Sequence, residues 1–366
     1  MTHQTADDTT VQDFDPSLHL KQLRHLGELG NAWERDLSSS NARVLTVHSE
    51  AGTINGAALL TARSVGSYVK ISGILASDAA TRTKVLDEVL SYAQRQELAC
   101  VKWELWAENS ELTALAMNTG FRRLPTPRRA TDSANTSPVA GYVYWLHPAQ
   151  YLQTPHYQQS ESFTCAAVAA LTAHEETTSI QGLDQLRIAE LLLWRQATNF
   201  MACDPVELGL SIADRWPSGT VSVCLDTNKP VMLDCYPEAE HDWRGILQAQ
   251  SRLRAESTGL PVTTKRLQVA EIDDLIAHGA RVLLLVSLQK MLGFDVPHWV
   301  LCHGTAGSAH NRVLVLEDSW VNESSAESWV DATCLPLPIQ EVDLMSSLET
   351  DGYRAAVVVT GVSARN

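Results

Sequence analysis

The sequence lacks the features that would indicate a nucleic-acid-binding or membrane-spanning protein. Its 28 lysine and arginine residues are outnumbered by 43 aspartate and glutamate residues, which gives a net charge of −15. Binding to nucleic-acid phosphates needs a concentrated basic face, so we expect no nucleic-acid partner. The longest apolar runs, such as residues 282–286, are far shorter than the roughly 18 residues of a membrane-spanning helix. We therefore expect no membrane insertion.

Cysteines at metal-binding spacing and a secretory signal are also missing. The seven cysteines are scattered from Cys100 to Cys334 without a CxxC motif, which favours free thiols in a reducing compartment over a zinc site or a disulfide framework. Residues 1–16 are polar and acidic, with no basic start and no apolar segment, unlike a secretory signal. These absences predict a cytoplasmic protein without a metal and with a disordered or poorly ordered tail over residues 1–16.

The length of the chain and the placement of its prolines indicate two domains. A chain of 366 residues, of which 45% are hydrophobic, is long enough to bury two separate cores. Residues 148–158 combine two prolines with many polar residues, which is typical of a linker. The sequence therefore predicts a first domain over residues 17–147 and a second domain over residues 159–366.

Hydrophobic spacing predicts a mixed α/β structure for the first domain. Apolar residues recur at helical spacing in two stretches, whereas alternation over residues 100–106 is typical of a strand. The predicted order is helices within residues 17–38, strands starting at Arg43, Gly56 and Tyr68, a helix over residues 83–96, a strand over residues 100–106, a helix ending at Gly120, a polar loop and a last strand from Gly141.

This order of elements resembles a GNAT-type N-acetyltransferase domain over roughly residues 17–147. The closest local match is the segment from Glu108 to Phe121, in which Asn109 precedes a helix and Gly-Phe follows it. The resemblance implies a mixed α/β fold. It also implies a site where a glycine-rich turn at a helix N-terminus binds the pyrophosphate of acetyl-CoA.

The turn that would bind acetyl-CoA departs from the family pattern. Residues 77–84, SDAATRTK, contain no glycine, and Asp78 adds negative charge where a phosphate would lie. Arg82, Lys84 and Asn109 are the remaining residues that could contact acetyl-CoA. We therefore expect a degenerate CoA site and no bound cofactor; the alternative is a working acetyltransferase.

A cysteine opens an apolar segment of the second domain. In SESFTCAAVAAL, residues 160–171, Cys165 directly precedes an alanine-rich stretch compatible with a buried helix, which Ser162 or Thr164 could cap. The positive end of the helix dipole lowers the pKa of a cysteine at this position and favours the nucleophilic thiolate. Gln159 could place its side-chain amide beside the Cys165 N–H, so that the two donors form an oxyanion hole. The alternative for Cys165 is a buried core residue.

Two strand-like runs further along the chain supply a base and an acid. His298 lies in the extended run DVPHWVLCHG, and Asp318 directly follows the run RVLVLE. Adjacent strands would place Asp318 against the imidazole, where a carboxylate fixes the tautomer and stabilises the imidazolium. The alternatives are a core histidine and a role for Glu317 in place of Asp318.

Together these segments resemble papain-like cysteine peptidases, most closely the bacteriocin-processing, double-glycine leader peptidase superfamily. The resemblance covers about residues 153–362 and includes the runs LWRQATNFM, DPVELGLSIADRW and DGYRAAVVV. It implies an α+β protein in which a helix carrying Cys165 packs on an antiparallel sheet carrying His298 and Asp318. Ala166 stands where most relatives have glycine, and its methyl group could crowd an oxyanion or a substrate carbonyl.

The favoured function is hydrolysis of a peptide or amide by a cytoplasmic cysteine peptidase. Cys165 would be the nucleophile, His298 the base, Asp318 the orienting residue and Gln159 an oxyanion donor. Three alternatives stay open: acyl transfer or transpeptidation by the same residues, N-acetyl transfer with a peptide-binding second domain, and a pseudoenzyme or adaptor. The joint presence of all four residues argues against the last.

Overall fold

The structure, a computed structural model, describes residues 3–5, 9–38, 40–128, 137–199, 201–308 and 311–362. Two sheets follow one another along the chain. In the N-terminal region, residues 3–146, the strands are β1 (His3–Thr5), β2 (Thr9–Asp13), β3 (Arg43–His48), β4 (Ile54–Thr61), β5 (Tyr68–Ala76), β6 (Cys100–Leu105), β7 (Arg122–Arg123) and β8 (Ala140–Trp145), and the helices are α1 (Pro16–Leu23), α2 (Asn31–Glu34), α3 (Ala79–Arg95) and α4 (Ser110–Thr119).

The strands of the N-terminal region form a mixed sheet in the order β1-β2-β3-β4-β5-β6-β8-β7. Neighbours from β2 to β5 are antiparallel, whereas β5 and β6 are parallel. A parallel pair needs a long crossover, which α3 provides. Asp78 caps α3 by accepting from the N–H of Thr81, and Gly120 ends α4 with a left-handed φ of 100°. From residue 17 onward the predicted elements occur in the predicted order, and β7 is an added short strand in the predicted polar loop.

The start of the chain differs from the expectation of a poorly ordered tail. Residues 9–13 form β2 and pair with β3, and Pro16 begins α1 with Asp15 as its cap. The strand contains three β-branched residues, and Val11 packs into the core beneath the sheet. The expectation is therefore wrong for residues 9–16, whereas residues 1, 2 and 6–8 lie outside the described part of the chain.

The C-terminal region, residues 147–362, is built on the second sheet, in the order β11-β10-β16-β12-β13-β14-β15 with β9 paired to β13. Its strands are β9 (Ala149–Tyr151), β10 (Thr220–Leu225), β11 (Val262–Thr263), β12 (Arg281–Ser287), β13 (Pro297–Gly307), β14 (Arg312–Glu317), β15 (Leu335–Pro338) and β16 (Ala355–Thr360), and its helices are α5 (Cys165–Ala173), α6 (Glu176–Ser179), α7 (Leu183–Ala197), α8 (Pro205–Arg215), α9 (His241–Thr258), α10 (Val269–Ala277), α11 (Gln289–Leu292), α12 (Trp329–Ala332) and α13 (Ile339–Met345). None of the helices in the described ranges is long and apolar enough to cross a bilayer.

Helix α5 packs against β12 and β13, which are antiparallel neighbours near the middle of this sheet. Every residue of α5 is buried, and most of them are alanine, so the helix backbone can approach the sheet closely. On the sheet, Val286 of β12 lies opposite His298 of β13, and Leu301 of β13 lies opposite Glu317 of β14. The expected helix carrying Cys165 on an antiparallel sheet is thus confirmed.

The segment predicted as a linker, residues 148–158, is partly a strand. In β9, Gln150 lies opposite Thr305 of β13. Gly304 makes this approach possible, because a Cβ at that position would lie 2.3 Å from the Cβ of Tyr151. The connection between the two regions is therefore fixed to the second sheet.

Two buried lysines of the N-terminal sheet hold the C-terminal region against it. The Lys102 ammonium group donates to three carbonyl oxygens of the segment 330–333, at 2.7 to 3.1 Å. Lys70 pairs with Glu104 at 2.9 Å and with Asp331. Burial disfavours the charged form of Lys70, but the two carboxylates prevail and raise its pKa above the usual value. The two regions are thus joined by buried charged groups, whose contacts across the interface form only when the regions are packed together.

Replacing Lys70 with methionine (K70M) is expected to destabilise the fold, because the buried Asp331 would lose the cation paired with it and Glu104 would keep only Arg35. The expected loss in the free energy of unfolding is about 3–5 kcal/mol, measured by urea denaturation. The control is K229M, because Lys229 pairs with Asp351 in solvent and an exposed pair contributes little. Equal effects of the two variants would contradict this account of the interface.

Candidate active site

Cys165 is the first residue of α5 and is buried, with 7% of its surface exposed. The backbone N–H of Trp299, on β13, donates to its sulfur at 3.5 Å, and the N–H of Ala166 also hydrogen-bonds to it. No side chain caps α5, contrary to the expectation for Ser162 and Thr164. The Thr164 hydroxyl donates to the Glu190 carboxylate of α7 instead. The N–H groups at the start of α5 are therefore left to act on the thiol.

The imidazole of His298 joins the thiol of Cys165 to the carboxylate of Asp318. His298 Nε2 donates to Asp318 Oδ1 at 2.7 Å, and the ring also hydrogen-bonds with Cys165. Because Nε2 is taken by the carboxylate, Nδ1 is the nitrogen that serves the sulfur. The structure therefore brings Cys165, His298 and Asp318 into one chain of hydrogen bonds.

Glu317, the sequence alternative to Asp318, faces the other way. Successive residues of an extended chain point to opposite sides, so only one of the two carboxylates can reach His298. Glu317 accepts from His156 Nδ1 at 2.8 Å and from the Thr333 hydroxyl at 2.9 Å. Asp318, directly after β14, accepts a further bond from the backbone N–H of Trp320 at 2.8 Å.

The charges of this site shift the pKa values of its members. Burial alone would raise the pKa of Cys165, but the His298 imidazolium and the two N–H donors outweigh it and lower that pKa. Burial would likewise lower the pKa of His298, but Asp318 and the thiolate raise it to about 10. At Asp318 the penalty of burial is overcome by His298 and Arg63, and the pKa falls below its usual range. Both shifts favour the thiolate–imidazolium pair over the neutral thiol and imidazole.

Gln159 lies on the loop before α5 and is held by the residue that follows Asp318. Its side-chain oxygen accepts from the Ser319 hydroxyl at 2.8 Å, and its backbone N–H donates to the Ser319 carbonyl oxygen at 3.1 Å. The amide Nε2 donates to the carbonyl oxygen of Glu161 at 2.9 Å. An amide nitrogen carries two hydrogens, so this contact uses one of them.

Ala166, which departs from the family pattern, is fully buried in the hydrophobic core around α5. Its methyl group therefore packs inside the protein.

Glu190 organises the loop before Cys165 and was missed by the sequence analysis. This fully buried carboxylate of α7 accepts from the Tyr157 hydroxyl at 2.6 Å, from the Ser160 N–H at 2.8 Å and from the Thr164 hydroxyl. A signal was present, because Glu190 shares the buried face of α7 with apolar residues at helical spacing, Leu186, Leu193 and Ala197. A carboxylate in such a row predicts a buried polar contact.

The residues considered for acetyl-CoA lie in the N-terminal region and have other contacts. The Asp78 carboxylate accepts from the N–H of Thr81 at 2.7 Å, which places a negative charge at the start of α3. Arg82 pairs with Glu111. The Asn109 side chain caps α4 by accepting from the N–H of Leu112 at 2.9 Å, and Lys84 is exposed on α3. The structure does not bring Arg82, Lys84 or Asn109 to Cys165. Among the described residues, no group of three or more His, Cys, Asp or Glu side chains is placed to hold a metal ion.

A comparison with protein families identifies the C-terminal region. The model of a family described as "Peptidase_C39 like family" matches residues 154–360. The chain belongs to the Peptidase_C39 like family. This membership confirms the resemblance that the sequence analysis drew from the runs around Cys165, His298 and Asp318. None of the curated proteins matches the chain.

Solved acetyltransferase structures match the N-terminal part of the chain. One is a GNAT-family acetyltransferase from Staphylococcus aureus, 11% identical, covering 38% of this chain and 99% of that chain, with a TM-score of 0.29. Another is the ribosomal-protein-S18-alanine N-acetyltransferase from Escherichia coli, 12% identical, covering 37% of this chain and 90% of that chain, with a TM-score of 0.27. A third is the IAA acetyltransferase from Bacillus cereus, 11% identical, covering 38% and 99%, with a TM-score of 0.28.

Cys165 is expected to react with iodoacetamide at lower pH than the other six cysteines. Its pKa is lowered, whereas burial raises the pKa of each of the others, Cys100, Cys203, Cys224, Cys235, Cys302 and Cys334. Replacing His298 with alanine (H298A) removes the imidazolium and should move the reaction of Cys165 to higher pH. The measurement is the alkylation rate of each cysteine against pH, by mass spectrometry.

Cys235 provides the internal control for accessibility, because it is exposed and yet has a raised pKa. If Cys235 reacted at lower pH than Cys165, exposure would decide the order of reaction and the ion pair would have no support.

Acetyl-CoA is expected to give no saturable heat of binding in calorimetry at micromolar concentrations. The N–H of Thr81, which would face a pyrophosphate at the start of α3, is already bonded to the Asp78 carboxylate. A D78G variant tests this reason, since it frees that N–H group and removes the negative charge. Saturable binding to the unaltered chain would show that the Asp78 contact does not block the site.

Proposed function

We propose that this protein is a cytoplasmic cysteine peptidase or amidase that acts through a thioester acyl-enzyme. One observation carries the proposal: the His298 imidazole lies between the Cys165 thiol and the Asp318 carboxylate, with Nε2 bonded to the carboxylate at 2.7 Å. Membership of a peptidase-like family supports the same reaction class. The seven cysteines are free thiols, which supports a reducing compartment.

In the first half of the reaction, the Cys165 thiolate attacks the carbonyl carbon of a peptide or amide. A carbon–sulfur bond forms and the carbonyl π electrons move to the oxygen. The Cys165 N–H lies in the first turn of α5, where no acceptor within the helix is available, and it would donate to this oxyanion. The second hydrogen of Gln159 Nε2 would be the other donor. His298 then gives its Nδ1 proton to the leaving amine as the carbon–nitrogen bond breaks.

In the second half, the neutral imidazole of His298 takes a proton from water, and the resulting hydroxide attacks the thioester. The carbon–sulfur bond breaks with its electron pair on the sulfur, the acid product leaves, and the thiolate–imidazolium pair is restored. An amine that enters the cleft in place of water would produce acyl transfer by the same residues. Throughout, Asp318 keeps Nε2–H as the donor to its carboxylate and so fixes Nδ1 as the nitrogen that exchanges protons.

Replacing Cys165 with alanine (C165A) is expected to abolish turnover, and H298A to lower it about 10²- to 10⁴-fold. The measurement is mass-spectrometric profiling of a proteome-derived peptide library incubated with the full-length protein. C235S is the control, because Cys235 is exposed and lies outside the hydrogen-bond chain. Cleavage products that persist with C165A would exclude Cys165 as the nucleophile.

A further inference from the structure

One arginine of the N-terminal region reaches the candidate active site. Arg63 lies in the loop between β4 and β5, and its side chain is buried against the C-terminal region, with 4% of the residue exposed. Its Nη1 donates to Asp318 Oδ2 at 2.6 Å. The same guanidinium donates through Nε and Nη2 to the two oxygens of Glu327, at 3.0 and 2.8 Å, and through Nη2 to the carbonyl oxygen of Trp320 at 3.0 Å.

These contacts give the two oxygens of the Asp318 carboxylate different partners. Oδ1 serves His298 and the Trp320 N–H, whereas Oδ2 serves Arg63. With both oxygens bonded in different directions, the carboxylate cannot rotate without breaking a charge-assisted hydrogen bond. The planar fork of arginine suits such a double role, because it can bind two carboxylates at once in fixed directions.

The segment that begins at Asp318 is bound by further cations of the N-terminal region. Arg35 donates to the carbonyl oxygen of Ala326 at 3.0 Å, Lys70 pairs with Asp331, and Lys102 binds three carbonyl oxygens over residues 330–333. The segment 318–333 therefore rests on the N-terminal sheet along its length. Arg63 is the member of this set that touches the carboxylate bonded to His298.

We propose that Arg63 is a positioning residue for Asp318, so that the N-terminal region completes the peptidase site of the C-terminal region. This inference rests on the proposed function of Cys165, His298 and Asp318. The N-terminal region then contributes an arginine to the reaction, although it touches neither the thiol nor the substrate. Acting through Asp318, Arg63 fixes the orientation of the imidazole and thereby the charge on the sulfur.

The charged groups around Arg63 determine how the inference can be tested. Asp318 and Glu327 face its guanidinium, and His298 faces Asp318 from β13. The Tyr68 hydroxyl, from β5, accepts from the Arg63 backbone N–H and donates to Asp331 of α12. Removing Arg63 alone would leave the buried Glu327 without a cation and Asp318 with His298 alone, and it could unfold the protein. Replacing Arg63 and Glu327 together with glutamine removes one charge of each sign. The net charge is kept, and Asp318 loses its arginine.

The experiment compares the full-length R63Q/E327Q variant with the unaltered protein and with R35Q/E104Q. The control pair is a half-buried arginine and a buried carboxylate of the N-terminal region, bonded at 3.0 Å, which contact Ala326 and Ser328 without touching Asp318. The alkylation rate of Cys165 is followed against pH by mass spectrometry. We expect R63Q/E327Q to move the acid limb of this profile upward by about one pH unit, because an oriented counter-charge shifts a pKa by about that much or more. The control should keep the original profile.

Two results would overturn the inference: an unchanged acid limb in R63Q/E327Q, or an equal shift in R35Q/E104Q, which would mean general loosening of the interface.

E327Q alone is the second variant, should the double variant not fold. The E327Q variant keeps the hydrogen bond between Arg63 and Asp318 and removes a negative charge. The acid limb of its Cys165 alkylation profile should therefore stay in place or move to lower pH, and a shift to higher pH would contradict the inference. Failure of the proposed function is seen separately, as a Cys165 in the unaltered protein that reacts no earlier than the other cysteines.

Discussion

The complete burial of the Asp318 carboxylate is the constraint on which the site depends. Burying a carboxylate costs free energy unless each of its oxygens accepts a hydrogen bond and a charge of the opposite sign lies nearby. Asp318 meets this demand with contacts from three places: His298 on β13, the backbone of Trp320, and Arg63 on a loop of the N-terminal region. Satisfying one carboxylate therefore ties together both sheets and sets the tautomer of the imidazole.

Buried cysteines in this protein have pKa values shifted in opposite directions, and the groups that contact each sulfur decide the direction. Cys100 and Cys302 are buried in apolar surroundings, and their pKa values rise to about 12. Cys165 is buried as well, but the imidazolium and N–H donors at the start of α5 reverse the effect. Desolvation then works in favour of the chemistry, because each charge in a dry site acts more strongly on its neighbour. Selective reactivity of one thiol among seven follows from this arrangement.

The residues near Cys165 could be predicted because their signals are local. A cysteine before an alanine-rich run, a histidine in an extended run and an acid directly after a strand each point to a position in the fold, and the structure brings the three together. Arg63 had no such signal, since 255 positions separate it from Asp318 and an arginine in a loop reads as a surface residue. The prediction of a poorly ordered tail was wrong for residues 9–16, because pairing with β3 orders β2. This is a tertiary effect that composition does not show.

The buried cations of the N-terminal region lie on the surface that faces the C-terminal region. At the start of α3, a carboxylate of the chain itself occupies the helix N-terminus. On the opposite side, Arg63, Lys70 and Lys102 are buried against the segment 318–333. Separating the regions would expose apolar surface, and it would also remove Arg63 from Asp318 and Glu327 and Lys70 from Asp331. Because that loss falls on the carboxylate bonded to His298, the packing of the two regions and the state of the thiol are linked through one hydrogen-bonded chain.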